Sequence, residues 1–100
     1  MIKHIVLWKL KEEAEGASAA ENGKKIVKLF KTLEGNVPGL VSIESGVDFN
    51  RSAAAWDIGL VTAFTSKEDL DFYQDFPAHV AIKQFIGKVS TDRAVIDYEV

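Results

Sequence analysis

Ile2-Lys3-His4-Ile5-Val6-Leu7-Trp8-Lys9-Leu10 decides how this chain folds. Alternation sends Ile2, His4, Val6 and Trp8 to one side of an extended segment and Lys3, Ile5, Leu7 and Lys9 to the other. Large apolar groups stand on both sides. Residues 1–10 are therefore a strand that needs two covers, and the rest of the chain has to supply them.

The first cover is helical. Ser18-Ala19-Ala20-Glu21 has the form of a capping box, so a helix begins at Ala19, with Ile26, Leu29, Phe30 and Leu33 as its buried stripe. Gly35-Asn36 ends it and Pro38-Gly39 turns the chain. Residues 40–49 place Val41, Ile43, Ser45, Val47 and Phe49 opposite Ser42, Glu44, Gly46 and Asp48, giving a second strand. A polar, alanine-rich connection follows. Residues 56–64 form a third strand, with Ile58, Leu60 and Phe64 on one face and Asp57, Gly59, Val61 and Ala63 on the other. Ser66 caps a second helix that runs to about Asp75, with Glu68 and Asp69 where the helix dipole favours acid. Pro77 disfavours helical geometry at Phe76, so the helix breaks there and restarts with His79, Ile82 and Ile86 on one stripe. Residues 94–100 alternate as a fourth strand, and residues 12–20 read as a solvated, acidic connection.

The order β-α-β-β-α-β predicts an α+β, ferredoxin-like single domain with one antiparallel sheet and both helices on one face. The second cover is then missing. With strands one and three apolar on both sides, Ile5, Leu7, Ile58, Leu60 and Phe64 are predicted to form an uncovered patch. A second copy packed sheet to sheet would bury it as a dimeric α/β barrel, and would enlarge the modest core that 100 residues allow.

Composition narrows the function classes. With no cysteine there is no disulfide, thiol nucleophile or cysteine-ligated metal, and a reducing cytoplasm is the compartment expected. The N-terminus alternates at once, so neither a signal peptide nor a membrane span is expected. A net charge of -3 with no basic run interleaved with aromatics argues against nucleic acid.

The segment 70–80 carries the chemistry. Tyr73 and His79 flank Pro77, and an imidazole with an ordinary pKa near 6.5 works as a base at neutral pH while a phenol can hold an oxyanion. His79 capping backbone groups and Tyr73 packing as core is the alternative. By strand parity His4 and Asp57 share the helix-facing side, as an orienting pair or as a plain buried hydrogen bond. Gly59 and Ala63 leave space there. Val6, Trp8, Ile26, Phe30, Ile43, Gly59, Phe76 and Ile82 are the expected pocket lining. No local ligand spacing points to a metal, and no cofactor is expected.

Together, Ile2-Lys3-His4-Ile5-Val6-Leu7, Val37-Pro38-Gly39-Leu40, Phe64-Thr65-Ser66-Lys67-Glu68-Asp69-Leu70, Tyr73, Pro77-Ala78-His79-Val80 and Ile96-Asp97-Tyr98-Glu99 resemble the stress-responsive dimeric A/B barrel family across essentially the whole chain. The resemblance implies the same fold and a sheet-to-sheet homodimer. The family's best-understood enzyme type is a plant polyketide cyclase that makes olivetolic acid by cofactor-free aldol closure with a tyrosine and a histidine, which match Tyr73 and His79; a strand-one histidine matches His4. This chain departs from the pattern at Phe76, where many members have histidine, and at Asp57, where the cyclase has a pocket histidine.

Three functions follow as expectations. The first is a cofactor-free lyase or cyclase acting on a small, partly apolar carbonyl compound, with His79 as base, Tyr73 as acid or oxyanion donor, and His4 and Asp57 in support. The second is a non-catalytic dimer that binds a small hydrophobic or aromatic metabolite. The third, by fold analogy, is a cofactor-independent monooxygenase.

Overall fold

The computed structural model describes residues 1–100. In chain order the elements are β1 (Ile2–Leu10), β2 (Glu13–Ala14), β3 (Ala17–Ser18), α1 (Ala19–Lys31), β4 (Leu40–Val47), β5 (Ile58–Phe64), α2 (Lys67–Gln74), α3 (Pro77–Val89) and β6 (Ser90–Glu99). Four strands make one antiparallel sheet in the order β4-β5-β1-β6, with the helices on one face. This is the ferredoxin-like arrangement. No helix is long and apolar enough to cross a membrane.

Local chemistry accounts for the helix boundaries. Ser18 Oγ accepts from the Glu21 amide while the Glu21 carboxylate accepts from the Ser18 amide, so α1 starts on a reciprocal cap. Ser66 Oγ accepts from the Asp69 amide at the start of α2. Phe76 is extended, with φ −64° and ψ 125°, and Pro77 opens α3. The connection at residues 12–20 is more ordered than a solvated loop. Glu15 and Gly16 both have positive φ, as a two-residue hairpin turn requires, and β2 and β3 pair across it. Buried Asn22 holds this hairpin against α1 by donating to the Ala14 carbonyl at 3.0 Å.

Register overturns one expectation about the sheet. Ile2 pairs with Phe64, His4 with Thr62, Val6 with Leu60 and Trp8 with Ile58, and opposed residues of an antiparallel pair share a face. Ile58, Leu60 and Phe64 therefore lie under the helices, each at most 1 % exposed, and do not belong to the open face. The physical reason is bulk. The helix layer supplies the apolar partners, so the larger set of β5 turns inward and Gly59 and Val61 turn outward. Ile5 and Leu7 do lie on the open face, where Ile5 is flanked by Val61 and Ile96, and Leu7 by Gly59 and Ala94. Exposed Ile96 and Tyr98 extend that face along β6.

The core is the space between helices and sheet, filled by Val6, Trp8, Ile26, Phe30, Leu33, Ile58, Leu60, Phe64, Tyr73, Ile82, Ile86 and Val89 among others. Trp8 stacks on Phe30 with centroids 5.7 Å apart. Because Leu60 sits at the centre of this layer, Leu60→Ala should lower unfolding free energy by about 2–5 kcal/mol in urea titrations. A change no larger than that of an exposed site would contradict the inward placement.

Candidate functional site

Three elements bring the polar groups together. Helix α2 ends where Pro77 has no N–H to return to the Tyr73 carbonyl, four residues back, and His79 takes the vacancy: its Nδ1–H donates to Tyr73 O at 2.9 Å. That bond fixes the tautomer, leaving Nε2 of His79 as a lone pair without a protein partner. Burial lowers the His79 pKa to about 4; the bond to Tyr73 opposes the shift, and nearby Lys83 and His4 reinforce it. The ring is neutral at pH 7.

Tyr73 is fully buried. Its ring stacks on His79, with centroids 3.8 Å apart and planes inclined at 20°, and meets the His4 ring edge-on at 6.2 Å. Burial pushes the phenol well above its ordinary range, so it remains a proton donor. Its hydroxyl has no hydrogen-bond partner within the protein. The two side chains thus meet through ring faces and a backbone carbonyl, with no hydroxyl-to-imidazole bond.

His4, on the sheet, is 2 % exposed. The Thr62 hydroxyl donates to its backbone carbonyl at 3.0 Å, clamping β1 to β5 at this position. Its Nδ1 bonds the Asp97 carboxylate of β6, its register neighbour. Nε2 of His4 is again left unpaired. This carboxylate–imidazole pair is the arrangement expected for His4, but with a different acid from the one expected.

Asp57 is elsewhere. It precedes β5, and its carboxylate accepts from the Leu10 amide at 2.6 Å and from Arg51 Nη2 at 2.8 Å, so it ties the loop between β4 and β5 to the end of β1. His4, Asp57 and His79 do not assemble. No three His, Cys, Asp or Glu side chains lie close enough to hold a metal ion.

His4 and His79 line one cavity of about 170 Å³ between α3 and the β1 side of the sheet. Val6, Trp8, Leu60 and Ile86 are its apolar wall; Gln74, Lys83, Gly87, Ser90 and Arg93 complete it. The volume is close to that of a cavity that accepts benzene, about 150 Å³. Of the expected lining only Val6 and Trp8 reach it. Ile26, Phe30 and Ile82 are core, while Ile43 joins Phe30 at a separate groove between α1 and β4. Gly59 faces the opposite side of the sheet, and Phe76 packs its ring edge-on against Phe72. Sequence reasoning missed Asp97, Lys83 and Arg93. Asp97 was visible as part of the Ile96-Asp97-Tyr98-Glu99 stretch, but without a role, and register was needed to set it beside His4.

Solved structures reproduce this fold. A dimeric protein of unknown function with a ferredoxin-like fold from Bacteroides fragilis NCTC 9343 is 28 % identical at a TM-score of 0.87, covering 99 % of this chain and 95 % of that one. A dimeric ferredoxin-like protein of unknown function from Thermobifida fusca is 21 % identical at 0.86, covering 99 % and 90 %. A hydroxynitrile lyase from Passiflora edulis is 16 % identical at 0.78, covering 97 % and 90 %, and at that identity the likeness is one of fold. No curated protein sequence matches the chain. Residues 2–100 match the Stress responsive A/B Barrel Domain, and the chain belongs to that family.

Proposed function

We propose that the chain forms a homodimer through the open face of its sheet, and that the cavity of each subunit performs cofactor-free acid/base chemistry on a small, partly apolar carbonyl compound. The observation that carries the reading is the pair of histidines lining one small cavity, each tied through Nδ1 and each with Nε2 unpaired. The two anchors differ, and so do the roles. An imidazolium formed at His4 is neutralised by Asp97, whereas one formed at His79 has no carboxylate and is opposed by burial.

The base is therefore His4, in place of His79. Its Nε2 takes a proton from carbon next to the carbonyl, and the electron pair moves onto the carbonyl oxygen. Tyr73 does not line the cavity: it is fully buried behind His79, so its ring backs the imidazole by stacking and its hydroxyl, without a partner in the protein, does not touch the ligand. Neutral His79 accepts a hydrogen bond from the substrate.

Three measurements test the reading. Exchange of the methyl protons of acetophenone in D2O, followed by proton NMR, should be accelerated by the protein and should fall about a hundredfold or more in His4→Ala and Asp97→Asn. Exchange at the wild-type rate in both variants would remove the proposed chemistry.

The neutral state of His79 has its own consequence. Its folded pKa of about 4 lies below the ordinary 6.5, so between these values the unfolded chain binds more protons and stability falls as pH drops. This group alone should cost roughly 2–4 kcal/mol between pH 6.5 and pH 4. His79→Gln should flatten that part of the urea-midpoint profile. An unchanged slope would show that His79 takes up protons alike in the folded and unfolded protein.

For the dimer, Ile5→Glu should give a folded monomer by sedimentation, because a charge at the centre of the open face cannot be buried against a second sheet. A wild-type monomer at micromolar concentration would contradict the assembly.

A further inference from the structure

The cavity has a charge asymmetry that proton abstraction does not require. The chain holds 15 Asp and Glu against 12 Lys and Arg, yet no carboxylate is among the side chains lining this cavity and two cations are, Lys83 from α3 and Arg93 from β6. Asp97, the nearest acid in the argument, bonds His4 and is not part of the wall. The Arg93 side chain makes no ion pair or hydrogen bond within the protein, while the Arg51 guanidinium pairs with both Asp48 and Asp57. Lys83 donates to the Gln74 carbonyl at 2.8 Å, which holds its ammonium across the end of α2 at the cavity. One fixed ammonium and one unengaged guanidinium thus border a space whose wall is otherwise Val6, Trp8, Leu60 and Ile86.

We infer that the ligand of this cavity is a carboxylate-bearing molecule of about single-ring size, its apolar body against Trp8 and Ile86 and its carboxylate on Arg93, with Lys83 adding charge. The inference rests on the proposed function for the site and names the substrate class. Three features support it. A guanidinium presents a planar fork that matches a carboxylate with two parallel bonds. A volume of about 170 Å³ admits a ring and leaves little room beyond it. The two free Nε2 lone pairs accept hydrogen bonds, so they give no reason for the anionic end of a ligand to point inward. The anion belongs at the cations and the neutral, reacting end at the histidines.

The test uses inert probes, so that binding is read apart from chemistry. Benzoate, benzamide and phenyl phosphate are titrated separately into isotope-labelled wild-type protein, following the Trp8 indole N–H by NMR. Benzoate should shift that signal and saturate, and benzamide should bind at least about tenfold more weakly. Arg93→Gln, on an exposed edge-strand position, should weaken benzoate about tenfold or more with the rest of the spectrum unchanged, and Arg93→Lys should recover part of the loss. Equal binding of benzoate and benzamide overturns the carboxylate inference and leaves the acid/base reading of the cavity intact. Tighter binding of phenyl phosphate overturns it in favour of a phosphate ligand. Benzoate binding that bypasses Trp8 or survives Arg93→Gln unchanged overturns the placement. If neither benzoate nor benzamide binds, both this inference and the proposed use of the cavity fall.

Discussion

A missing proton organises the site. In a continuous helix the Tyr73 carbonyl would accept the N–H of the residue four positions on, and that residue is Pro77. The carbonyl instead receives the Phe76 amide at 3.2 Å, which tightens the last turn, and the His79 side chain at 2.9 Å. One substitution-sized feature thus ends α2, starts α3, chooses the tautomer of His79 and lays its ring on Tyr73. An alanine at position 77 would supply the absent N–H and compete with His79 for the carbonyl. The proline acts on the imidazole through the backbone acceptor it leaves free.

The second constraint is the register of β1, which has neighbours on both sides. Pairing with β5 sets His4 opposite Thr62, and pairing with β6 sets it opposite Asp97. A slip of one residue against β6 would turn Asp97 to the open face and bring Ile96 to the imidazole. His4 is thus held at its carbonyl by Thr62 and at its ring by Asp97, each from a different strand. Neither contact is local in sequence, with separations of 58 and 93 residues.

That distance explains what was legible beforehand. Capping at Ser18, the break at Phe76 and the two-faced pattern of β1 are local, encoded within a few residues, and the element order follows from them. Alternation in β5 also separated Ile58, Leu60 and Phe64 correctly from Gly59 and Val61. It did not say which set meets the helices, because period two is symmetric between faces and only pairing breaks the symmetry. Asp57 was paired with His4 by that unresolved parity, while Asp97 stood in the closing stretch Ile96-Asp97-Tyr98-Glu99 with no role, because alternation alone does not say which strand it faces. Tyr73 and His79 came out adjacent because a single break in a single helical segment joins them. Lys83 and Arg93 gave no signal at all, since a lysine on a helix and an arginine on an edge strand are ordinary until a cavity is seen between them.

The two faces of the sheet divide the labour. His4, Val6 and Trp8 point to the cavity and core, while Ile5 and Leu7 point to the face proposed for the second copy. The same backbone carries both sets in alternation. A dimer contact at Ile5 therefore bears on His4 through one peptide unit, with no side chain in common. Burial of Ile5 and Leu7 against another sheet would restrain β1 over the span from which His4 and Trp8 project. In the proposed role the histidine would need its position held more than its surroundings changed, because Asp97 lies on an edge strand and its side chain is 46 % exposed. If both proposals hold, assembly and acid/base geometry would be coupled mechanically, through the rigidity of one strand.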